Sequence, residues 1–288
     1  MCKNSITIMI ISTIPDMFGE HYYFIKDVFP DLKEICQKHD IDLDYVELFY
    51  SQSVEEINKC RSVNRYFNSM DSNRTFYICF RGQKLGSVPT YKDIDKETLQ
   101  KYPELVDYIG NISFTELTVL HALHPFEKYE DGEIQILPPV KHALFYFRND
   151  NYLDKLSESQ KAIYTSHSDY DDVFIHDLQL AMAKDLVYQD KWEFDALKDS
   201  ISNINIRKYD GLWDENIDLM DILDSYTEEY AAIKNISVDE LKKCYDGFSI
   251  DNPKGCFIDF ECEGKSLKEV IIDDFLNELK MEFPENFN

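Results

Sequence analysis

A strand that is apolar on both faces needs cover above and below, and this chain opens with one: Ser5-Ile6-Thr7-Ile8-Met9-Ile10-Ile11. Side chains alternate sides along a strand, so an unbroken apolar run belongs inside a sheet buried by helices on both faces. A helical pattern follows from Asp16, with Tyr22, Phe24, Ile25, Val28, Leu32 and Ile35 at spacings near three and four. Pro30 within it predicts a kink or a break. Leu43–Phe49, Thr75–Phe80 and Ala143–Phe147 repeat the strand pattern, and helical spacing separates them at Val54–Met70, Lys96–Tyr108 and Phe114–Leu123.

Strands alternating with helices give right-handed βαβ units and a doubly wound sheet. Ile204–Tyr209 supplies a fifth strand, and further helical patterns run at 171–187, 191–201, 217–230, 238–244 and 267–283. The expected fold is α/β: a flavodoxin-like, open, parallel five-stranded sheet with helices on both faces. The acid-rich stretch 214–246 reads as a solvated helical insertion.

Composition narrows the functions open to such a domain. With 30 Lys+Arg against 55 Asp+Glu the formal charge is −25, which argues against nucleic acid or an anionic membrane as a partner. Hydrophobic residues at 44% exclude an acidic disordered chain. The seven cysteines are odd in number and form no C-x-x-C pair, so neither a disulfide framework nor a zinc site is expected. The apolar run at Ile6–Ile11 is too short for a signal-peptide core, and no stretch approaches the roughly 20 apolar residues of a membrane span. The expected location is cytoplasmic.

Ligands of open parallel sheets bind beyond the carboxyl ends of the strands. After the first strand comes Ser12-Thr13-Ile14-Pro15-Asp16, where hydroxyls and helix amides can take a phosphate or a side chain can simply cap the helix. After the third comes Arg81-Gly82-Gln83-Lys84-Leu85-Gly86, with an arginine for a phosphate or for an acid, and no P-loop or G-x-G-x-x-G spacing. Ser113-Phe114-Thr115-Glu116 fits a capping box, so Glu116 either closes the cap or offers a carboxylate to the crevice. His121 and His124 lie three apart with no third metal ligand in view.

Segments along the chain resemble one family. Ile11-Ser12-Thr13-Ile14-Pro15-Asp16-Met17, Glu20 and Val28-Phe29-Pro30-Asp31-Leu32 come first. Asp71–Tyr77, Gly82–Pro89, Ile112–Leu117, His142–Arg148, Leu197–Ile201 and Glu282-Phe283-Pro284 follow in order. Together they are similar to the TIR-like family catalogued as domain of unknown function 4062. That family stands at the N-terminus of STAND-type NTPases, including nephrocystin-like and telomerase-associated NACHT proteins and many bacterial defence proteins. The resemblance implies one TIR-like domain over 1–288, with insertions at 157–188 and 211–253. The chain departs from the family at Glu47-Leu48-Phe49-Tyr50-Ser51, where Asp-Leu-Arg-Trp-Gly is usual, at Ser87 for a tryptophan, and at Thr118 for a second glutamate.

In related TIR and deoxyribosyltransferase folds a glutamate on the third helix carries N-glycosidic chemistry. The resemblance therefore implies Glu116 as the catalytic carboxylate, with Glu47 as the second candidate. Ser12, Thr13, Arg81 and Gly82 would line the phosphate end of NAD or a related nucleotide. Because a positive pyridinium leaves readily, such an NAD glycohydrolase-type hydrolase requires no metal or other cofactor. The other function class is a non-catalytic module that self-associates or docks NTPase or repeat regions, a reading favoured by the missing second glutamate.

Overall fold

The computed structural model of the chain describes residues 4–14, 16–46, 67, 74–84, 86, 88–123, 126–136, 142–165, 204–243, 250 and 254–287. β1 (Asn4–Ile11) lies between β2 (Ile41–Val46) and β3 (Thr75–Arg81), parallel to both. The sheet continues through β6 (His142–Arg148) and β7 (Ile204–Asp218), again parallel. Between β3 and β6 stands a separate hairpin, β4 (Lys128–Glu130) and β5 (Glu133–Gln135). Asp131 and Gly132 turn it with positive φ at both positions, as a tight hairpin requires.

The five expected strands are present, the second over Ile41–Val46 with 47–49 outside the described residues, and among the described residues the sheet has seven. Its order is β2-β1-β3-β6-β7-β8-β9, with β8 (Lys254–Cys262) and β9 (Lys265–Ser266) antiparallel. β7 runs well past Tyr209: residues Ala143–Arg148 pair with its first half, and Asp210–Asp218 pair with β8. Among the parallel strands the order is the doubly wound one, in which the chain switches direction between β1 and β3.

The first connection holds one continuous helical rod. α1 (Phe18–Tyr23) passes through a π-helical turn, Phe24–Val28, into α2 (Phe29–Lys38). Pro30 cannot donate to a carbonyl four residues back, and the wider turn just before it absorbs the mismatch, so the helix does not break there. The connection after β3 carries α3 (Lys96–Lys101), a 3-10 turn at Pro103–Asp107 and α4 (Phe114–Leu123). The expected helix over 96–108 is divided at Pro103.

β-strand alternation sorts the interior into two layers. Ile8 and Ile10, Phe76, Ile78 and Phe80, and Leu144 and Tyr146 pack with α1 and α2. Met9 and Ile11, Tyr77 and Cys79, and Ala143, Phe145 and Phe147 pack with α3 and α4. The first layer is completed by α5 (Glu158–Tyr164), α6 (Leu219–Lys234), α7 (Val238–Lys242) and α8 (Leu267–Glu282).

α6 corrects the reading of 214–246 as a solvated insertion. Leu219, Ile222, Leu223, Tyr226, Tyr230 and Ala231 are buried along one stripe, and the acids lie off it. Counting charge over the stretch hides a stripe repeating at three and four, which decides where the helix packs. The helical patterns at 171–187 and 191–201 lie outside the described residues, as does 54–70 except Phe67. Among the described residues no helix is long and apolar enough to cross a membrane.

Candidate functional site

β3 and β6 both end in an arginine behind a continuous apolar run, and pairing sets Arg81 against Phe147, one residue short of Arg148. One step along a strand reverses the face. Arg148 therefore points into the α1 layer and Arg81 into the α4 layer, each fully buried at the carboxyl edge of the parallel strands.

On the α1 side, Arg148 Nη1 donates to Glu20 Oε1 at 2.5 Å and to the Asp16 carbonyl at 3.1 Å. Its Nη2 donates to the Tyr152 hydroxyl at 3.3 Å and lies 3.9 Å from Asp16 Oδ2. The guanidinium sits over Phe257, Tyr152 and Tyr164, 4.3, 4.9 and 5.4 Å from their ring centroids. Tyr209 donates to Glu20 Oε1 at 2.8 Å. Burial, then the adjacent Glu20, pushes the Tyr209 phenol well up, so it stays a donor. Tyr152 donates to Gln83 Oε1, and Gln83 Nε2 donates back to the Arg148 carbonyl.

Gly82 belongs to this side: a Cβ there would stand 2.9 Å from Arg148 Nη2 and 2.6 Å from Met17 Cε. Ser12 also turns this way and pairs its hydroxyl with His21 Nε2. Lys84 donates to the Ala162 and Ile163 carbonyls at the end of α5, and burial draws its pKa down.

Asp16 Oδ2 stands 3.9 Å from Arg148 Nη2, too far for a hydrogen bond. Burial pushes its pKa from 3.8 up to about 6, offset in part by Arg148, Thr13 and Lys84. Between those values the folded chain keeps a proton that the unfolded chain has lost, so stability falls as pH rises through that window. A shift of this size corresponds to about 3 kcal/mol. Asp16→Asn is expected to raise the melting temperature at pH 7 by roughly 5 °C and to leave it unchanged near pH 4. Equal stabilisation at both pH values, read by calorimetry, would assign the effect to packing instead.

On the α4 side, Arg81 Nη2 is 4.0 Å from Glu116 Oε1, with both side chains buried. Glu116 closes the cap of α4: Ser113 N donates to its Oε2 at 2.8 Å, and its own N–H donates to Ser113 Oγ at 3.2 Å. The register that sets Ile11 against Cys79 leads on to Thr13 beside Arg81. A Cβ at Gly86, where φ is +94°, would stand 3.0 Å from Thr13 Cγ2 and 3.4 Å from Thr115 Oγ1. Thr13, Gly86, Ser113, Glu116 and Arg81 thus gather over the switch between β1 and β3.

The structure therefore divides the residues nominated from sequence. Thr13, Arg81 and Glu116 come together, whereas Ser12 and Gly82 serve the opposite layer; Glu47 lies outside the described residues. His121 accepts from Phe126 N and stacks on Phe67, a structural role, and His124 is outside the described residues. Cys36, Cys79, Cys256 and Cys262 are buried free thiols. Sequence reasoning missed the Arg148–Glu20–Tyr209 cluster; the visible signal was a second apolar strand ending, like β3, in Phe-Arg.

Fold and site together define an α/β protein whose mostly parallel sheet carries buried arginines on both faces of its carboxyl edge. No family model matches the chain, and no solved structure matches it. Over 165 residues, 57% of the chain, it is 24% identical to telomerase protein component 1 of Mus musculus. Over 169 residues it is 25% identical to the protein of the same name from Rattus norvegicus. The matched stretch makes up 6% of the length of each of these relatives.

Proposed function

We propose that this chain is a TIR-like signalling domain of the kind that accompanies STAND-type NTPases in defence systems, and that it holds NAD or a related nucleotide. The binding place is the carboxyl edge of β1 and β3. Arg81 carries the reading: its guanidinium is fully buried at the strand switch, and among the described residues none of its three nitrogens donates a hydrogen bond. Burying such a group without hydrogen bonds costs several kcal/mol, a cost that a bound diphosphate offsets. The buried Thr13 hydroxyl and the N-terminus of α4 supply further donors.

Turnover asks for a carboxylate free to face the sugar C1′, and Glu116 is 2% exposed and tied to Ser113 and Arg81. That observation favours binding over hydrolysis. It also supports a second reading, in which the domain is a non-catalytic docking module for a second copy or for NTPase or repeat regions.

Calorimetric titration with NAD and with ADP-ribose tests the proposal, with NAD loss followed in parallel. Wild type is expected to bind in the micromolar range, and Arg81→Ala to lose at least tenfold in affinity while keeping its circular dichroism spectrum, since one charged phosphate contact is worth roughly 1.5–3 kcal/mol. Absence of binding to either nucleotide overturns the nucleotide reading and leaves the docking module. Nucleotide loss at a measurable rate overturns the preference for binding alone.

A further inference from the structure

The two buried arginines of the strand edge are treated differently. Arg148 is held by Glu20, the Asp16 carbonyl, Tyr152 and three aromatic rings. Arg81 has Glu116 Oε1 at 4.0 Å, a distance that gives Coulombic attraction without a hydrogen bond. Glu116 Oε2 is held by Ser113 N at 2.8 Å, which anchors the carboxylate to the cap while its other oxygen stands 4.0 Å from the guanidinium. A charge-assisted pair would otherwise settle at about 2.7–2.9 Å.

Arg81 therefore keeps its whole planar fork of N–H donors, a geometry that fits phosphate oxygens in pairs. Thr13 is buried on the neighbouring strand end, and a Cβ at Gly86 would stand 3.0 Å from its Cγ2. Arg81 and Thr13 are both more than nine-tenths buried.

We infer that Glu116 is the resident counter-ion of Arg81 and that a diphosphate ligand binds by taking its place. The carboxylate then competes with the ligand for the guanidinium and takes no part in breaking a glycosidic bond. The inference rests on the nucleotide reading above only for what the diphosphate is attached to.

Inorganic pyrophosphate is the probe, titrated calorimetrically into the full chain. Removing the competing charge with Glu116→Gln, which preserves the cap acceptor, is expected to tighten pyrophosphate binding about tenfold, the scale of one charged pair. Arg81→Ala and the double variant Arg81→Ala/Glu116→Gln are expected to lose binding alike. Glu116→Asp draws the charge back by one methylene and is expected to tighten binding by less, which gives the same answer should Glu116→Gln fold poorly.

Unchanged or weaker pyrophosphate binding in both Glu116 variants overturns the inference. So does binding that survives loss of Arg81, or no binding by any variant. Tightening for pyrophosphate with no binding of NAD or ADP-ribose keeps the counter-ion and overturns the nucleotide reading. ADP-ribose binding that weakens in both Glu116 variants does the reverse.

Discussion

Arg148→Met is expected to destabilise the protein by about 3–5 kcal/mol, the cost of leaving a buried carboxylate without its partner. Methionine keeps the stem packed against Tyr152 and Phe257 and removes the charge. Glu20 then retains the Tyr209 hydroxyl but loses the guanidinium, and Asp16 loses its nearest cation. Neither carboxylate is exposed, so water cannot replace the lost pair. Denaturant midpoints should show the loss, and Arg148→Met/Glu20→Gln should recover a large part of it, because the two sites are coupled. A single variant with a wild-type midpoint would mean that the Arg148–Glu20 pair contributes little to stability.

Buried charge of this kind is hard to see in a sequence. β1, β3 and β6 were legible as dense apolar runs, β2 and the first half of β7 from their apolar–polar alternation, and α8 from its spacing between Leu267 and Phe283. β8 was not read as a strand: its alternation is confined to Ile258-Asp259-Phe260-Glu261-Cys262 and follows the turn-like Asn252-Pro253. The far half of β7 was hidden for another reason: Asp210–Asp218 is mostly polar, and pairing with β8 makes it a strand. Local propensity cannot report a partner 36 to 51 residues away.

The candidate site shows a second limit. The strand-end rule located the right edge, and the capping box at Ser113–Glu116 was visible as a motif. Which face each residue serves depends on strand parity at the very end of each run, where loops begin. Ser12 and Thr13 are adjacent in sequence yet serve opposite layers, and Arg81 and Gly82 do the same. Sequence reasoning grouped all four, and a one-residue step separates them.

Gly19→Ala should lower stability by about 2–3 kcal/mol, although the same change on an exposed helix adds up to about 1 kcal/mol through propensity. A Cβ at Gly19 would stand 2.2 Å from the Phe257 carbonyl oxygen and 3.2 Å from Cys256 Sγ. The obstacle is backbone, and it cannot swing aside as a side chain would. Relief requires α1 to lift from β8 or β8 to move from β7, with which it pairs along Asp210–Asp218. Either shift also disturbs the Phe257 ring over Arg148 and the approach of Glu20, one residue further along α1. The loss should therefore be less than additive with Arg148→Met, since both act on one cluster. A Gly19→Ala protein as stable as wild type would show that α1 and β8 are not in backbone contact, and the Arg148 cage would then need another support.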